Sequence, residues 1–167
     1  MATQEQVLRA LFDHKTWATL KLIDFCQTLP PEDLDASAAG TYGSVRETLV
    51  HLANSETGYQ AAFSDEPIGP HLEPSSNLEP IAERIKALAP GWDRLLEDPG
   101  TADRVLRRRQ GITLGVAPLA QALHHADDHR THVLTILGAR GHDVPDLDIW
   151  AFGSQRGFVQ PHAAAPA

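Results

Sequence analysis

The chain has 167 residues, a formal net charge of −8, 42% hydrophobic residues and one cysteine. This length fits one domain with its own core, and one cysteine excludes an intrachain disulfide, so we expect a reducing, cytoplasmic compartment. An acidic surface repels phosphate backbones, and no apolar run approaches the roughly 20 residues of a membrane span. Nucleic acids and membranes are therefore disfavoured as partners.

The first half of the chain predicts two long amphipathic helices. Apolar residues recur at three- and four-residue steps over 3–29, and the adjacent prolines beginning at Pro30 end that helix. The second helix is expected over 44–63. Ser44 and Glu47 have the S-x-x-E spacing of a capping box, which satisfies two free backbone donors at a helix start.

The second half predicts two more helices and no convincing strand. A loop rich in Pro, Gly and Ser covers 65–76, and a third helix follows over 77–97, with a kink expected at Pro90. We interpret 98–115 as irregular. The fourth helix is expected over 117–137, where the glycines that follow end it.

These elements predict an all-α fold. Four long amphipathic helices joined by two long connections are typical of a four-helix bundle, up-down with a long crossover. We place this single domain at residues 1–153. Residues 154–167 are small, polar or proline toward their end, and we expect them to form a flexible C-terminal tail.

The fourth predicted helix carries an unusual group of histidines. Each helical residue advances about 100° around the axis, so His129 lies about 40° from His125 and His132 about 20° from it on the other side. His129 faces the apolar arc and His125 lies at its edge, whereas His124 is about 100° away, on the polar side. The pair His125 and His129 therefore points toward the core.

An i, i+4 histidine pair is spaced to bind one metal ion. Zinc, nickel, iron and manganese all accept imidazole nitrogen, so the pair does not identify the metal, and the same spacing also arises by chance. A third ligand has to come from another helix. His51 on the second helix is the best candidate, although by itself it is a histidine at the edge of an apolar stripe.

Two charged residues occupy positions where the helical period calls for apolar ones. Glu56 lies in the middle of the second helix's stripe, and Arg130 lies inside the apolar arc of the fourth. A buried carboxylate has to be paired, protonated or bound to metal. We expect Glu56 to be buried and to pair with Arg130 or with the second nitrogen of a ligand histidine. Both residues are candidates for a catalytic role.

Two stretches of the sequence resemble the DinB/YfiT-like family of metalloproteins. GTYGSVRETLVHLANSE, residues 40–56, is similar to that family's turn, helix start, first histidine and following glutamate. HHADDHRTHVLTILGARGHDVPDLDIWAFG, residues 124–153, is similar to its HxxxHR motif and D-x-W tail. The resemblance implies an up-down bundle with a long crossover, often a homodimer, with one divalent metal ion on three histidines. Matched by position, these are His51, His125 and His129.

Some residues depart from that pattern or keep a second interpretation. His132 stands where a glutamine is frequent in the family, so a rearranged ligand set stays open. We interpret His14 as a surface residue and Cys26 as a small core residue. Trp150 is expected to pack back over the bundle, and the role of Asp148 is open.

Two classes of function compete. Three protein ligands leave a coordination position open, which is the arrangement of catalytic metal sites, so a metal-dependent enzyme acting on a small molecule is the first hypothesis. The resemblance implies a thiol S-transferase-like activity with a low-molecular-weight thiol, and a hydrolase-like activity fits equally well. The alternative is a non-catalytic metal-binding bundle with a role in stability, sensing or protein interaction. The charge and the absence of a recognition motif argue against DNA binding.

Overall fold

The computed structural model describes residues 3–64, 69–74, 77–108 and 111–159, and these fold mainly into helices. The helices are α1 (Gln4–Cys26), α2 (Pro31–Leu34), α3 (Val45–Ala61), α4 (Glu79–Glu97), α5 (Val116–Ala139) and α6 (Ile149–Arg156). The strands are β1 (Val105–Arg108) and β2 (Gly111–Leu114), preceded by a 3-10 turn over Thr101–Asp103. The all-α prediction is confirmed, and each of the four predicted long helices is present.

The four long helices form one bundle in which each contacts two neighbours. α1 packs against α4 and α5, and α3 packs against the same two helices. Gln27 after the end of α1 binds Glu79 at the start of α4, so these helices are antiparallel. Thr57 and Gln60 of α3 bind successive turns of α4, so α3 and α4 run in the same direction.

The remaining directions follow from contacts of α5. Tyr59 near the end of α3 meets His125, whereas Tyr42 before its start meets His129, so α3 and α5 are antiparallel. The order along the chain is up, down, down, up. The long crossover is therefore the connection over 62–78, because the helices on either side of it, α3 and α4, run in the same direction.

The hairpin of β1 and β2 corrects the prediction of an irregular stretch over 98–115. The strands pair antiparallel, with Val105 opposite Leu114 and Arg107 opposite Ile112. Leu106 faces the bundle and is buried, whereas Val105, Ile112 and Leu114 are exposed. The hairpin is not evident from the sequence because three of its outward-facing residues, Val105, Ile112 and Leu114, are apolar, so apolar and polar residues do not alternate as they do in a strand with one face in water.

The short helix α6 also lies outside the prediction. Asp148 caps it, since its side chain accepts the amide hydrogen of Ala151 at 2.7 Å. The expectation that Trp150 packs over the bundle is wrong, because that residue is 68% exposed. Phe152, two positions on, is fully buried instead. Residues 154–159 continue and cap this helix, and 160–167 lie outside the described residues, so the flexible tail stays a prediction.

The core fills the space between the four long helices. Cys26 lies in it, as expected, and burial raises the pKa of its thiol to about 12. α4 continues through Pro90 as one helix, and Gly91 lies where a β-carbon would collide with the side chain of Gln60. Among the described residues, none of the helices is both long and apolar enough to cross a bilayer.

Candidate metal centre

Three histidines from two helices meet on one side of the bundle. His51 lies in the second turn of α3, and His125 and His129 lie one turn apart in α5. One ring nitrogen from each lies within 4.8 Å of the others, and the Nε2 atoms of His51 and His125 are 3.0 Å apart. The ring centroids of His125 and His129 are separated by 4.2 Å. The structure therefore brings together the three residues that the sequence singles out.

The same geometry confirms how the sequence sorts the histidines of α5. His129 is 6% exposed and His125 is half-buried, whereas His124 is on the surface. The antiparallel packing of α3 on α5 carries His51 to the inward pair. A helical period of 3.6 residues is sufficient to predict which side chains face the partner helix, although it does not by itself predict which helix that is.

Burial keeps these imidazoles neutral. It lowers the pKa of His51, His125 and His129, and in His125 the neighbouring histidines add to the effect of burial, so that its pKa falls to about 4. Three rings that resist protonation at neutral pH each offer a lone pair to a cation. This donor set therefore fits a divalent metal ion that accepts imidazole nitrogen.

Two tyrosines close around the cluster, and neither was singled out from the sequence as a site residue. Tyr42 stacks on the His51 ring at 4.0 Å and meets the His129 ring edge-on at 5.1 Å. Tyr59 packs edge-on against His125. Tyr42 stays half exposed, so its ring covers the cluster from the solvent side. Tyr42 belongs to the GTYGS turn before α3, within the stretch that resembles the DinB family, and this position in the sequence could have identified it as a site residue.

A second group of possible ligands overlaps the first. Asp128, His129 and His132 also offer donor atoms within 4.8 Å of one another, and His132 Nε2 lies 4.0 Å from a carboxylate oxygen of Asp128. This group lies within five consecutive positions of α5 and includes the exposed carboxylate of Asp128. Water solvates an exposed carboxylate, so its presence does not indicate a metal ion. The three-histidine group is buried deeper and joins two helices, so it is the stronger candidate of the two for holding a metal ion.

Glu56 is buried as expected, but its predicted partners are wrong. Its Oε1 accepts a short, charged hydrogen bond from Lys15 of α1 and a second hydrogen bond from the indole of Trp92 at 2.8 Å. Its Oε2 has no hydrogen-bond partner among the described residues. Lys15 is 1% exposed. It lies between Leu11 and Ala18 in the apolar stripe of α1, so the same out-of-pattern argument that identified Glu56 could have found it.

Arg130 faces the same region but binds other groups. Its guanidinium donates to the backbone oxygen of Lys15, to the hydroxyl of Thr19 at 3.2 Å and to Asp127 at 3.2 Å. The guanidinium thus ties α5 to α1 directly beside His129. Glu56 and Arg130 therefore lie behind the histidines, in the interior, where neither side chain is open to a ligand.

An open cleft of about 420 Å³ adjoins the cluster on the other side. His51, Tyr42 and Glu47 form one part of its lining, and the chain segment 69–74 of the crossover forms another. Of the three histidines only His51 lines this cleft, so a small molecule bound there would reach the group from the His51 side. The arrangement can therefore hold a metal ion whose remaining coordination positions are reached from solvent.

Comparison with known proteins agrees with the helical fold. The sequence model of the DinB family matches residues 1–155, which is nearly the whole chain and includes all three histidines. No curated protein matches the chain significantly. The extent of the family match shows that this chain belongs to the DinB family.

Proposed function

We propose that this protein binds one divalent metal ion through His51, His125 and His129 and uses it as an enzyme acting on a small molecule. The observation that carries the proposal is the meeting of three imidazoles, one of which, that of His51, lines an open cleft. Catalytic metal sites typically have three protein ligands and a free position, whereas structural sites are closed by four.

The spacing of the ring nitrogens supports this proposal. Zinc bonds imidazole nitrogen at about 2.0–2.1 Å, and tetrahedral angles then separate two ligand nitrogens by about 3.3 Å. The Nε2 atoms of His51 and His125 lie 3.0 Å apart, so small ring rotations would place both on one ion. Without a cation, one of these Nε2 atoms can donate a hydrogen bond to the other, and with a cation between them both offer lone pairs to the ion.

A bound divalent ion would supply Lewis acidity, lowering the pKa of a coordinated water or thiol so that a nucleophile is present near neutral pH. The protein's own residues would do the rest. His51, His125 and His129 hold the ion, and Tyr42 fixes the plane of the His51 ring by stacking on it. The phenol of Tyr42 lines the cleft, where it can donate a hydrogen bond to a substrate.

Two reaction types fit this arrangement. Transfer of a thiol sulfur to an electrophile and hydrolysis both need a nucleophile held on the metal and a cleft for the second reactant. The deep positions of Glu56 and Arg130 argue against either as a group that contacts substrate. We therefore propose them as positioning residues that hold α1, α3 and α5 in register behind the ligands.

Metal reconstitution tests this proposal. The protein is stripped with a chelator and titrated by calorimetry with zinc, nickel, iron(II) and manganese, and we expect one ion per chain. The loaded protein is then assayed for consumption of low-molecular-weight thiols with electrophiles and for hydrolysis of activated esters and amides. Tight binding without turnover in either assay would favour the alternative, a non-catalytic metal-binding bundle. Failure of every metal to bind would overturn the proposal.

A further inference from the structure

The wall of the cleft opposite the histidines is held rigidly to α3. The side-chain amide of Asn54 forms two hydrogen bonds with the backbone of Leu72, accepting from its amide at 2.9 Å and donating to its carbonyl at 2.8 Å. Arg84 of α4 also binds this segment through the carbonyl of Pro70 at 2.9 Å. Segment 69–74 is therefore preorganised as a cleft wall, which lowers the entropic cost of binding a ligand there.

Glu47 lies one helical turn before His51, on the same face of α3. Residues four apart on a helix are about 6 Å from each other, so this carboxylate is a short molecule's length from the candidate metal position. Its Oε2 accepts the amide hydrogen of Ser44 at 2.9 Å, and this bond lowers the pKa of the carboxyl. The carboxylate is thus ionised and held in place by its Oε2. Its Oε1 makes no hydrogen bond among the described residues.

The charges of the cleft are one-sided. Among the described residues that line it, Glu47 is the only carboxylate, and there is no lysine or arginine. Arg84, which binds the wall from α4, is not part of the lining. The lining also includes the His71 ring, whose Nδ1 lies 3.5 Å from Oε1 of Glu73, so a second carboxylate lies beside the cleft. An anionic ligand would meet negative charge with no lysine or arginine in the lining to offset it, whereas a cationic nitrogen would find a partner in Glu47, about one helical turn from the candidate metal position.

Building on the proposed metal site, we propose that the cleft selects small molecules with a metal-binding donor atom at one end and a positively charged nitrogen two or three bonds away, with Glu47 as the residue that recognises the charge. Asn54 is the positioning residue that holds the opposite wall. The proposal concerns ligand choice, and it therefore goes beyond the presence of the metal.

Three thiols of matched length test this selection. Thiocholine, 2-mercaptoethanol and 2-mercaptoethanesulfonate carry a cationic, a neutral and an anionic head on the same two-carbon spacer, and none of these heads chelates the metal strongly. Binding to the cobalt(II)-loaded protein is followed without oxygen by the sulfur-to-cobalt absorption. We expect thiocholine to bind tightest relative to the sulfonate, and Glu47→Gln to reduce that preference by about two- to five-fold, as for an exposed charge pair.

Matched variants separate the possible outcomes. Gln at position 47 keeps the capping box, so α3 should still form. Glu97→Gln removes the same charge from the last residue of α4, at the opposite end of the bundle from Glu47, and should leave the preference unchanged. Asn54→Ala should weaken all three thiols about equally and leave the cobalt stoichiometry at one. If cobalt binds but Glu47→Gln keeps the wild-type preference, this inference is overturned and the metal site stands. If cobalt does not bind, the proposed function fails and the inference falls with it.

Discussion

The three histidines differ in burial, and this difference predicts which substitutions matter. His129 lies deepest in the cluster, whereas His124 is exposed and about 100° away around α5. We expect His129→Ala to abolish tight binding of one metal ion and His124→Ala to leave it within a few-fold of wild type. Calorimetric titration with zinc measures both. Equal losses of metal affinity in the two variants would show that the assignment of which α5 histidines point into the cluster is wrong.

The buried pair of Lys15 and Glu56 predicts a large effect on stability. Removing one partner of a buried ion pair leaves an uncompensated charge and costs about 3–5 kcal/mol of the free energy of unfolding. We therefore expect Lys15→Met to destabilise the protein by about that amount, measured by urea denaturation. The double variant with Glu56→Leu should recover most of the loss, because apolar replacements of a whole buried pair are often tolerated.

A surface pair on α4 provides the control for this effect. Lys86 and Glu83 form an exposed ion pair at 3.0 Å, and Lys86→Met should change the free energy of unfolding by less than about 1 kcal/mol. A Lys15→Met effect as small as that of Lys86→Met would mean that Glu56 finds other compensation.

Because Glu56 binds Lys15 and Trp92 and no histidine, Glu56→Gln is expected to leave metal affinity nearly unchanged.

At the scale of single elements, the sequence predicts the long helices well and the short elements poorly. A helix such as α3 repeats its apolar stripe over several turns and opens with a capping box, so both its existence and its start are visible. α2 has four residues, α6 has eight and each strand of the hairpin has four, which is too short for a period to emerge. Their conformations depend on tertiary contacts, such as those of Leu106 with the bundle, that the local sequence does not contain.

The way α6 attaches to the bundle predicts a contrast between two neighbouring aromatic residues. Phe152 is fully buried beside Trp17 and His14, and the His14 ring bonds the carbonyl of Leu147 at 2.7 Å. His14 thus anchors this segment and is half-buried, which differs from the surface role expected from the sequence. Phe152→Ala should cost about 3–5 kcal/mol, the usual range for a buried phenylalanine.

Trp150 is the matched comparison on the same helix. Because it is exposed, Trp150→Ala should change the free energy of unfolding by no more than about 0.5 kcal/mol. Both variants can be followed by urea denaturation with far-ultraviolet circular dichroism. A larger loss for Trp150→Ala than for Phe152→Ala would contradict the packing of α6 described above.

At the scale of the whole molecule, the histidine cluster links stability to pH. Burial lowers the pKa of His51, His125 and His129 in the folded protein, whereas the unfolded chain takes up protons at these positions near pH 6.5. The unfolded state then binds more protons, so the metal-free protein should lose stability as the pH falls from 7 to 5. Thermal melts in chelator measure this loss.

A non-ionising variant isolates the contribution of the cluster. His125→Gln removes the group whose folded pKa lies furthest below its usual value, so its melting temperature should fall less between pH 7 and 5 than that of wild type. This window lies above the range in which Asp33 and other carboxylates titrate. If the melting temperature of the variant falls between pH 7 and 5 as steeply as that of wild type, other groups govern the pH dependence.

The exposed surface of α1 bears on the oligomeric state. Val7, Leu8 and Leu11 form an apolar stripe at its start whose residues are 37–55% exposed, and Phe158 lines a groove beside Val7. Homodimers commonly bury such stripes in a self-complementary contact. We therefore expect a homodimer of 18.2 kDa subunits that pair through this face of α1.

Light scattering on wild type and two variants tests the prediction of a dimer. Leu11→Glu places a charge at the end of the stripe, one helical turn from both Val7 and Leu8, and should shift the mass at micromolar concentration from that of a dimer to that of a monomer. Ile112→Glu places the same charge on the exposed face of the hairpin, away from the proposed contact, and should leave the dimer intact. Dissociation by Ile112→Glu but not by Leu11→Glu would move the interface to the hairpin. A wild-type protein that is already monomeric would refute the dimer, and the apolar stripe on α1 would then need another partner.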